Sequence, residues 1–209
     1  MEYDASCKDC DRLSSFLTQV KNKNPDYFCK PVPSFGQKNP PFLIVGLAPG
    51  MHGANKTGRP FTGDHAGILL YKTLYKYGFS NLEASHSVGD SLILKNCSIT
   101  NAVKCLPPDN KPNHEEINTC NKFLKFEIHK LNKGSILLAL GLIAHNAIMT
   151  ALSLTKKEYK FSHGARHNLP NNLVMYDSYH CSRYNTQTKR LTEKMFHEVF
   201  LSIKTEMER

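Results

Sequence analysis

The segment from Phe42 to Asp64, FLIVGLAPGMHGANKTGRPFTGD, constrains the fold more than any other part of this sequence. It begins with four consecutive apolar residues, a run that suits a buried parallel strand and is too short for a helix. A glycine-rich loop follows and leads into a helix-like segment. Open α/β sheets bind ligands at the carboxyl ends of their strands, and glycine lets the backbone approach a ligand closely. The segment therefore predicts the floor of a binding pocket.

The glycines of this loop do not match the common nucleotide-binding patterns. The loop contains no Gly-x-x-x-x-Gly-Lys-Ser/Thr, and its first part, Gly46-Leu47-Ala48-Pro49-Gly50, does not fit Gly-x-Gly-x-x-Gly. The sequence therefore does not predict an ordinary NTP or NAD site.

Three further apolar runs predict buried strands, and helix-like segments alternate with them. This alternation predicts an α/β fold with a parallel sheet and right-handed crossovers. No internal repeat divides the 209 residues, so we expect a single domain spanning residues 1–209. The predicted strands are 42–45, 96–103, 135–141 and 172–176, and the predicted helices are 11–21, 65–77, one that begins near 113, 142–152 and 188–204.

The charge balance and the cysteine count limit the class of protein. A formal net charge of +9 at pH 7 favours a polyanionic partner, with nucleic acid as the first candidate. No apolar run approaches the ~18 residues of a membrane helix, and we recognise no signal peptide, so no membrane association is expected. Seven cysteines without a secretion signal favour reduced thiols or metal ligands over a disulfide framework.

Four of the cysteines form two pairs that could close on one centre. Cys7 and Cys10 stand in a Cys-x-x-Cys before a predicted helix, and Cys105 and Cys120 lie on either side of a proline-rich loop. Four thiolates fit either Zn²⁺ or a [4Fe–4S] cluster. A redox pair at Cys7 and Cys10, or a set of unrelated buried thiols, are the other interpretations.

Polar residues follow three of the predicted strands at the points where the strands end. Asp64 closes the glycine-rich loop, Asn101 stands near the exit of the second strand, and His180 follows the fourth. Because the carboxyl ends of parallel strands lie at one edge of a sheet, we expect these side chains to converge, with Phe61 as an aromatic wall. Taken singly, each residue has a simpler interpretation as a helix cap, a loop residue or a core aromatic.

Three long segments resemble the motifs of one enzyme family. Residues 46–64 resemble the first motif of the type B, family-five uracil-DNA glycosylases, residues 99–112 resemble their middle block, and residues 180–192 resemble their His-Pro-Ser-type motif. The resemblance covers essentially the whole chain. It implies a three-layer α/β/α sandwich around a four-stranded parallel sheet. It also implies a monofunctional DNA repair enzyme that hydrolyses the N-glycosidic bond of uracil, and of hypoxanthine as a further substrate.

The resemblance also implies roles for particular residues. The expected catalytic residues are Asp64, Asn101 and His180, and the expected base pocket adds Gly46, Ala48, Gly50 and Phe61 to Asn101 and His180. A [4Fe–4S] cluster is expected on Cys7, Cys10, Cys105 and Cys120, with zinc as the alternative. Contacts to DNA are expected from His52, Lys56, Arg59, His163, Ser182, Arg183, Tyr184 and Asn185, with Tyr184 as the wedge that fills the vacated stack.

Two positions depart from the family pattern. Leu47 stands where the related type A, family-four enzymes carry an acidic residue, so that water-activating group is absent. Asp64 is then the nearest carboxylate able to orient water. Cys181 replaces the usual proline of the last motif.

The resemblance and the charge together predict the setting of the protein. We expect a monomer that acts on uracil in single- or double-stranded DNA, in the cytoplasm of a bacterial or archaeal cell and associated with its nucleoid. The competing classes are a non-catalytic iron–sulfur or zinc nucleic-acid-binding protein, which needs neither Asp64 nor His180, and an α/β enzyme of small nucleotides.

Overall fold

Both faces of the central strands are buried, which explains the unbroken apolar runs at 42–45 and 136–140. In the computed structural model, which describes residues 1–208, every residue of the strand Phe42–Gly46 is buried. Phe42 and Ile44 pack into the core on one side of the sheet, whereas Leu43 and Val45 pack into the core on the other side. The short apolar run thus supplies side chains to two cores at once.

The sheet has six strands in the order β1-β3-β2-β4-β6-β5. Its four central strands are parallel to one another, and the two edge strands pair antiparallel with their neighbours. The strands are β1 (Phe35–Gly36), β2 (Phe42–Gly46), β3 (Cys97–Asn101), β4 (Ile136–Leu140), β5 (Arg166–Asn168) and β6 (Val174–Ser178). The predicted parallel strands form the centre of this sheet. The edge strands were not predicted because segments of two or three residues carry no apolar run.

Helices cover both faces of the sheet and confirm the expected three-layer α/β/α arrangement. The helices are α1 (Asp11–Lys23), α2 (Ala54–Thr57), α3 (His65–Lys76), α4 (His114–His129), α5 (Leu142–Ala151), α6 (Arg183–Gln187) and α7 (Glu193–Met207). Apolar residues of α3 and α7 form one core with the sheet, and those of α4 and α5 form the other. Within residues 1–208, no helix combines the length and the apolar character needed to span a membrane.

Two predicted boundaries near the C-terminus are wrong. The predicted helix 188–204 starts later, because α6 ends at Gln187 and α7 begins only at Glu193, after Thr192, whose hydroxyl accepts a hydrogen bond from Met195 N–H at 3.2 Å. The fourth strand begins two residues later than predicted because Pro170–Asn172 form a 3₁₀ turn. By contrast, α4 begins near residue 113 as predicted, with Asn113 as its N-cap in a capping box with Glu116.

A buried ion pair joins β3 and the loop after it to α4. The Lys104 side chain is 1% exposed, and its Nζ lies 2.9 Å from Glu127 Oε1. Lys104 Nζ and Glu127 Oε2 also share the Thr100 hydroxyl as a hydrogen-bond partner. Because a buried ammonium is costly without a partner, this pair fixes the position of the segment that leaves β3.

We expect the substitution Glu127→Gln to lower the free energy of unfolding by about 3 kcal/mol, since it leaves the Lys104 charge buried and unpaired. Denaturant titration followed by circular dichroism measures this loss. Glu115→Gln, at an exposed position of the same helix, is the control and should cost at most about 1 kcal/mol. Equal losses in the two variants would contradict the importance of the pair.

Candidate active site

The exits of β2, β3 and β6 meet at one cavity of about 370 Å³. Asp64, Asn101 and His180 all line it, together with Phe61. The sequence argument placed these four residues at the same edge of the sheet, and the structure brings them together there. The other lining residues are Leu47, Ala48, Gly50, Ala66, Asn110, Ser182 and Arg183.

Gly46, which was predicted to bind the base, does not line this cavity but lies against two residues that do. It pairs with Asn101 across the parallel ladder of β2 and β3. A Cβ at this position would collide with Asn101 Oδ1 and would stand 2.7 Å from Phe61 Cζ. Only glycine therefore allows the amide of Asn101 and the ring of Phe61 to approach the strand end together.

The Asn101 side chain presents an unpaired acceptor at this cavity. The residue is 4% exposed, and its Oδ1 has no hydrogen-bond partner among residues 1–208. A buried acceptor without a partner is costly, and binding a ligand that supplies a donor removes that cost. The cavity is therefore built to receive a polar group with an N–H or O–H.

Asp64 has a structural contact and a free face toward the cavity. Its Oδ1 accepts a hydrogen bond from Gly67 N–H at 2.9 Å and caps helix α3. Its Oδ2 lies beside Gly53 on the opposite side of the loop. Burial raises the pKa of Asp64, and the Gly67 hydrogen bond opposes part of that rise. The carboxyl group is thus held rigidly in a poorly hydrated position.

His180 is held against Phe61 and is kept uncharged. The two rings are nearly parallel, with an interplanar angle of 26° and centroids 5.9 Å apart. The Asn185 side-chain N–H donates to the His180 carbonyl at 2.8 Å and fixes the backbone there. Burial lowers the pKa of His180 to about 4. At neutral pH the ring is therefore a neutral imidazole, which donates one N–H and accepts at the other nitrogen.

Several residues predicted to contact DNA lie on accessible surface around the cavity. Arg183 is exposed and Ser182 is half-buried, and both line the cavity. Tyr184 follows them and is 70% exposed, which is unusual for a large aromatic side chain. His52 and Lys56 are also exposed and both contact Tyr27, His52 through a 2.7 Å hydrogen bond.

The prediction that Arg59 contacts DNA is wrong. Arg59 is 4% exposed, and its Nη1 lies 2.5 Å from Asp90 Oδ1 inside the protein. Two other predicted DNA contacts also use polar atoms internally. His163 Nδ1 accepts from Tyr179 N–H at 3.1 Å, and Asn185 holds the His180 carbonyl as described above. Residue type alone does not reveal whether an arginine in a polar loop faces solvent or a buried carboxylate.

Sequence analysis missed Asn110 as a cavity residue. It lies in the loop after β3 with a φ of +56°, a left-handed conformation that asparagine adopts more readily than most residues. An asparagine between Pro107 and Pro112 is the only sequence signal for such a turn. A larger cavity of about 610 Å³, which shares Phe61, Asp64 and Arg183 with the first, was missed as well.

The four predicted cysteine ligands come together beside this loop. Cys7, Cys10 and Cys105 pack against the apolar cluster that contains Cys120. Burial, and next the neighbouring Cys120 thiol, raise the pKa of Cys10 to about 11. The Lys104 backbone N–H donates to Cys120 Sγ at 3.2 Å. Three other cysteines lie elsewhere: Cys29, Cys97 and Cys181.

The four cysteines are candidate ligands for either of the two metal centres considered above. Zinc bonds to sulfur of ~2.3 Å place tetrahedral thiolates about 3.8 Å apart. Within residues 1–208, the only group of three potential ligand atoms that all lie within 4.8 Å of one another is in another part of the protein. No three of these four thiols are therefore within 4.8 Å of one another.

The compact group of potential ligands is His145, His167 and Asp177, behind β6. His145 Nδ1 lies 2.8 Å from Asp177 Oδ1, and His167 Nε2 lies 2.9 Å from Asp177 Oδ2. Ligands of one zinc ion, with bonds of ~2.0–2.1 Å, stand about 3.3 Å apart, so these shorter separations indicate hydrogen bonds. The group fixes the end of β6 just before His180.

Comparisons with known proteins agree on one family. The model of the Uracil DNA glycosylase superfamily matches residues 33–204. The chain is 41% identical to the type-5 uracil-DNA glycosylase of Thermus thermophilus, over 95% of this chain and 93% of that protein. It is 38% identical to the type-5 enzyme of Pyrobaculum aerophilum, over 93% and 86% of the two chains, and 35% identical to that of Mycobacterium leprae, over 95% and 90%.

We expect the His180 ring to stay neutral down to about pH 4, whereas a histidine in an unfolded chain takes up its proton near pH 6.5. The unfolded state then binds more protons below pH 6.5, so His180 should make the protein less stable as pH falls from 6.5 toward 4. NMR titration of the imidazole resonances tests this, with His180→Gln to assign the signal. A His180 resonance that titrates near 6.5 would contradict the prediction.

Proposed function

The chain belongs to the uracil-DNA glycosylase superfamily, in its type-5 group, and we propose that it hydrolyses the N-glycosidic bond of uracil in DNA. The product is an abasic site, and the reaction is the first step of base excision repair. The observation that carries this proposal is the meeting of Asp64, Asn101 and His180 beside Phe61 in one cavity. A binding protein without catalytic function needs no such convergence of a carboxylate, an amide and a neutral imidazole.

The substrate nucleotide must leave the DNA stack before its base can enter this cavity. An enzyme reaches the glycosidic bond of a stacked base only after it turns the nucleotide outward, at a cost of a few kcal/mol. Stacking on an aromatic ring recovers about 1–3 kcal/mol per base. Phe61, which lines the cavity, provides this ring for the everted base.

His180 stabilises the base as it departs. Bond cleavage leaves negative charge on the base oxygen, and a fixed donor aimed at that oxygen lowers the barrier as an oxyanion hole does. A neutral imidazole serves this purpose because it donates a hydrogen bond without requiring a change of charge. The burial that lowers the His180 pKa to about 4 keeps this state populated at neutral pH.

Asp64 acts on the sugar side of the bond. Cleavage builds positive charge on the sugar, and a carboxylate nearby stabilises that charge or orients the attacking water. Leu47 lines the same cavity and cannot take this role. Because the Gly67 hydrogen bond holds Asp64 Oδ1 in place, the carboxylate needs little reorganisation when charge develops.

Asn101 reads the edge of the base. Uracil presents carbonyl groups beside an N–H, and an amide offers both an acceptor and a donor to such an edge. Hypoxanthine, a deaminated purine, also presents a carbonyl beside an N–H. We therefore infer that the enzyme acts mainly on uracil and also removes hypoxanthine.

The surface around the cavity binds the DNA strand. A net charge of +9 favours contact with phosphates, which supplies affinity without sequence preference. The exposed residues His52, Lys56, Ser182 and Arg183 would hold the backbone. Tyr184, 70% exposed at the N-terminal end of α6, would enter the stack in place of the everted base.

We also propose that Cys7, Cys10, Cys105 and Cys120 hold a [4Fe–4S] cluster. The meeting of the four cysteines in one apolar cluster supports a shared metal centre, and the family resemblance favours the iron–sulfur cluster over zinc. The cluster would join the N-terminal segment to the loop that follows β3, which carries Asn110 into the cavity wall. Its role is structural, and no step of the reaction passes through it.

The remaining expectations concern the cellular setting. We propose that the protein acts as a monomer on either single- or double-stranded DNA, because the cavity lies within one chain. The relatives named above come from bacteria and archaea, and we propose the cytoplasm and its nucleoid DNA as the place of action.

In single-turnover assays, Asp64→Asn should slow uracil excision by about 100-fold or more, because it removes the charge while an asparagine still caps α3. His180→Ala should cost ~2.7–4 kcal/mol of transition-state stabilisation. The assay uses labelled oligonucleotides with one uracil or one hypoxanthine, followed by alkaline cleavage at abasic sites.

An otherwise identical oligonucleotide with thymine is the substrate control, and DNA affinity of both variants should stay close to that of the wild-type protein. Absence of abasic sites with wild-type protein would refute the proposed function. Near-normal excision by Asp64→Asn would refute the role of Asp64 alone. Activity confined to uracil would refute the wider substrate range.

Protein purified without oxygen should be brown and should contain about four iron and four sulfide per chain if the four thiols hold the cluster. Cys120→Ser should abolish the colour and lower the melting temperature. Cys97→Ser, at a buried cysteine in another part of the chain, is the matched control and should keep the colour. Colourless protein with one zinc per chain would overturn the assignment.

A further inference from the structure

Phe61 adopts a backbone conformation that its side chain disfavours. Thr62 N–H donates to the Arg59 carbonyl at 3.3 Å, which closes a turn with Pro60 in the second position and Phe61 in the third. The φ of Phe61 is +55°. Turns with proline second and a positive φ third ordinarily carry glycine or asparagine in the third position. A bulky residue there persists only when its surroundings hold it in place.

The Arg59 side chain supplies most of this support from the other side of the turn. Its Nη1 donates to Asp90 Oδ1 at 2.5 Å and to Ser85 Oγ at 3.0 Å, and its Nη2 donates to the Val88 carbonyl at 2.9 Å. All three partners belong to the segment 85–90. The planar guanidinium thus connects the turn to a second loop through a fixed fork of hydrogen bonds.

Asp90 organises that second loop at the same time. It accepts backbone hydrogen bonds from His86 at 2.8 Å, Ser87 at 3.1 Å and Leu92 at 3.2 Å. Burial acts to raise the pKa of Asp90, but these bonds and the one from Arg59 outweigh it and lower the pKa to about 2. The carboxylate is therefore charged at any pH at which the enzyme works.

Two further contacts fix the backbone on either side of Phe61. Tyr71 Oη donates to the Pro60 carbonyl at 2.8 Å, and Thr62 Oγ1 lies 2.7 Å from Ser85 Oγ. The Phe61 carbonyl also lies against Gly67, where any Cβ would collide with it. The ring of Phe61 is thereby left with little freedom to move away from His180.

We propose that Arg59 and Asp90 are positioning residues for base removal, which hold the Phe61 ring in its stacking place through the turn between them. This inference rests on the proposed function. Neither residue lines the cavity that holds Asp64 and His180, so neither touches the base. Their effect reaches the substrate through Phe61.

The first test separates this role from a phosphate contact. Arg59→Lys keeps the positive charge but loses the fork, and Asp90→Asn removes its charged partner. We expect each to lower the single-turnover rate on a uracil duplex by about 10- to 100-fold, with no change in the affinity for a thymine duplex or in its salt dependence. If Arg59 instead contacted a DNA phosphate, Arg59→Lys would leave activity nearly unchanged. Removal of such a contact would reduce the salt slope, the slope of log affinity against log salt concentration, by about one.

The second test asks whether the effect passes through Phe61. In a Phe61→Leu background, Asp90→Asn should slow excision by less than about threefold, because the ring that it positions is already gone. A merely structural role would give losses that multiply. Multiplied losses, or an excision rate of Arg59→Lys close to that of the wild-type protein, would overturn the proposal.

One further measurement and one further variant keep the outcome interpretable. Hydrogen exchange at the Arg59 and Thr62 amides should be faster in Asp90→Asn than in wild type, beyond any change in global stability, even if the wild-type protein proves inactive on uracil. Unchanged exchange there would overturn the positioning role independently of the proposed function. Should Asp90→Asn fail to fold, Ser85→Ala removes one link without leaving a buried charge and should show the same pattern at smaller amplitude.

Discussion

The parallel pairing of the four central strands is the constraint on which the rest of the structure depends. In a parallel sheet all carboxyl ends lie on one edge, so the loops after β2, β3 and β6 are forced to share a volume. The register sets the details, because it places Gly46 directly beside Asn101. A shift of one residue would turn each strand residue to the opposite face and separate the amide from the cavity.

The turn that carries Phe61 combines a strained backbone with hydrogen bonds from buried polar groups that support it. A residue such as Phe61 held at positive φ costs on the order of 1–3 kcal/mol, a noticeable share of the ~5–15 kcal/mol by which a typical domain is stable. The hydrogen bonds of Arg59 and Tyr71 to neighbouring segments oppose relaxation of this turn. The main effect of these buried polar groups is therefore not on overall stability. They hold one arrangement of a chain segment that would otherwise have several.

The amino-acid sequence was sufficient for the central sheet and for the positions of Asp64, Asn101 and His180, because long apolar runs and strand exits are local patterns. It was insufficient where a partner distant in the chain decides the outcome. Arg59 is of a residue type that commonly contacts DNA. Only its contact with Asp90, in the distant segment 85–90, shows that its charged group faces the protein interior. The short edge strands and the break between α6 and α7 likewise depend on tertiary contacts, which the hydrophobic periodicity of the local sequence does not reveal.

The distribution of charge in the cavity explains how a single carboxylate, that of Asp64, could be enough for the proposed reaction. Leu47 leaves Asp64 as the carboxylate lining the cavity, and the neutral His180 adds no positive charge there that would neutralise it. A protonated imidazole at that place would stabilise the departing base more strongly, but it would also oppose positive charge on the sugar. In the proposed reaction, a neutral donor on the base side and a fixed negative charge on the sugar side would stabilise both developing charges together. The burial of His180 would then serve the chemistry as well as the packing.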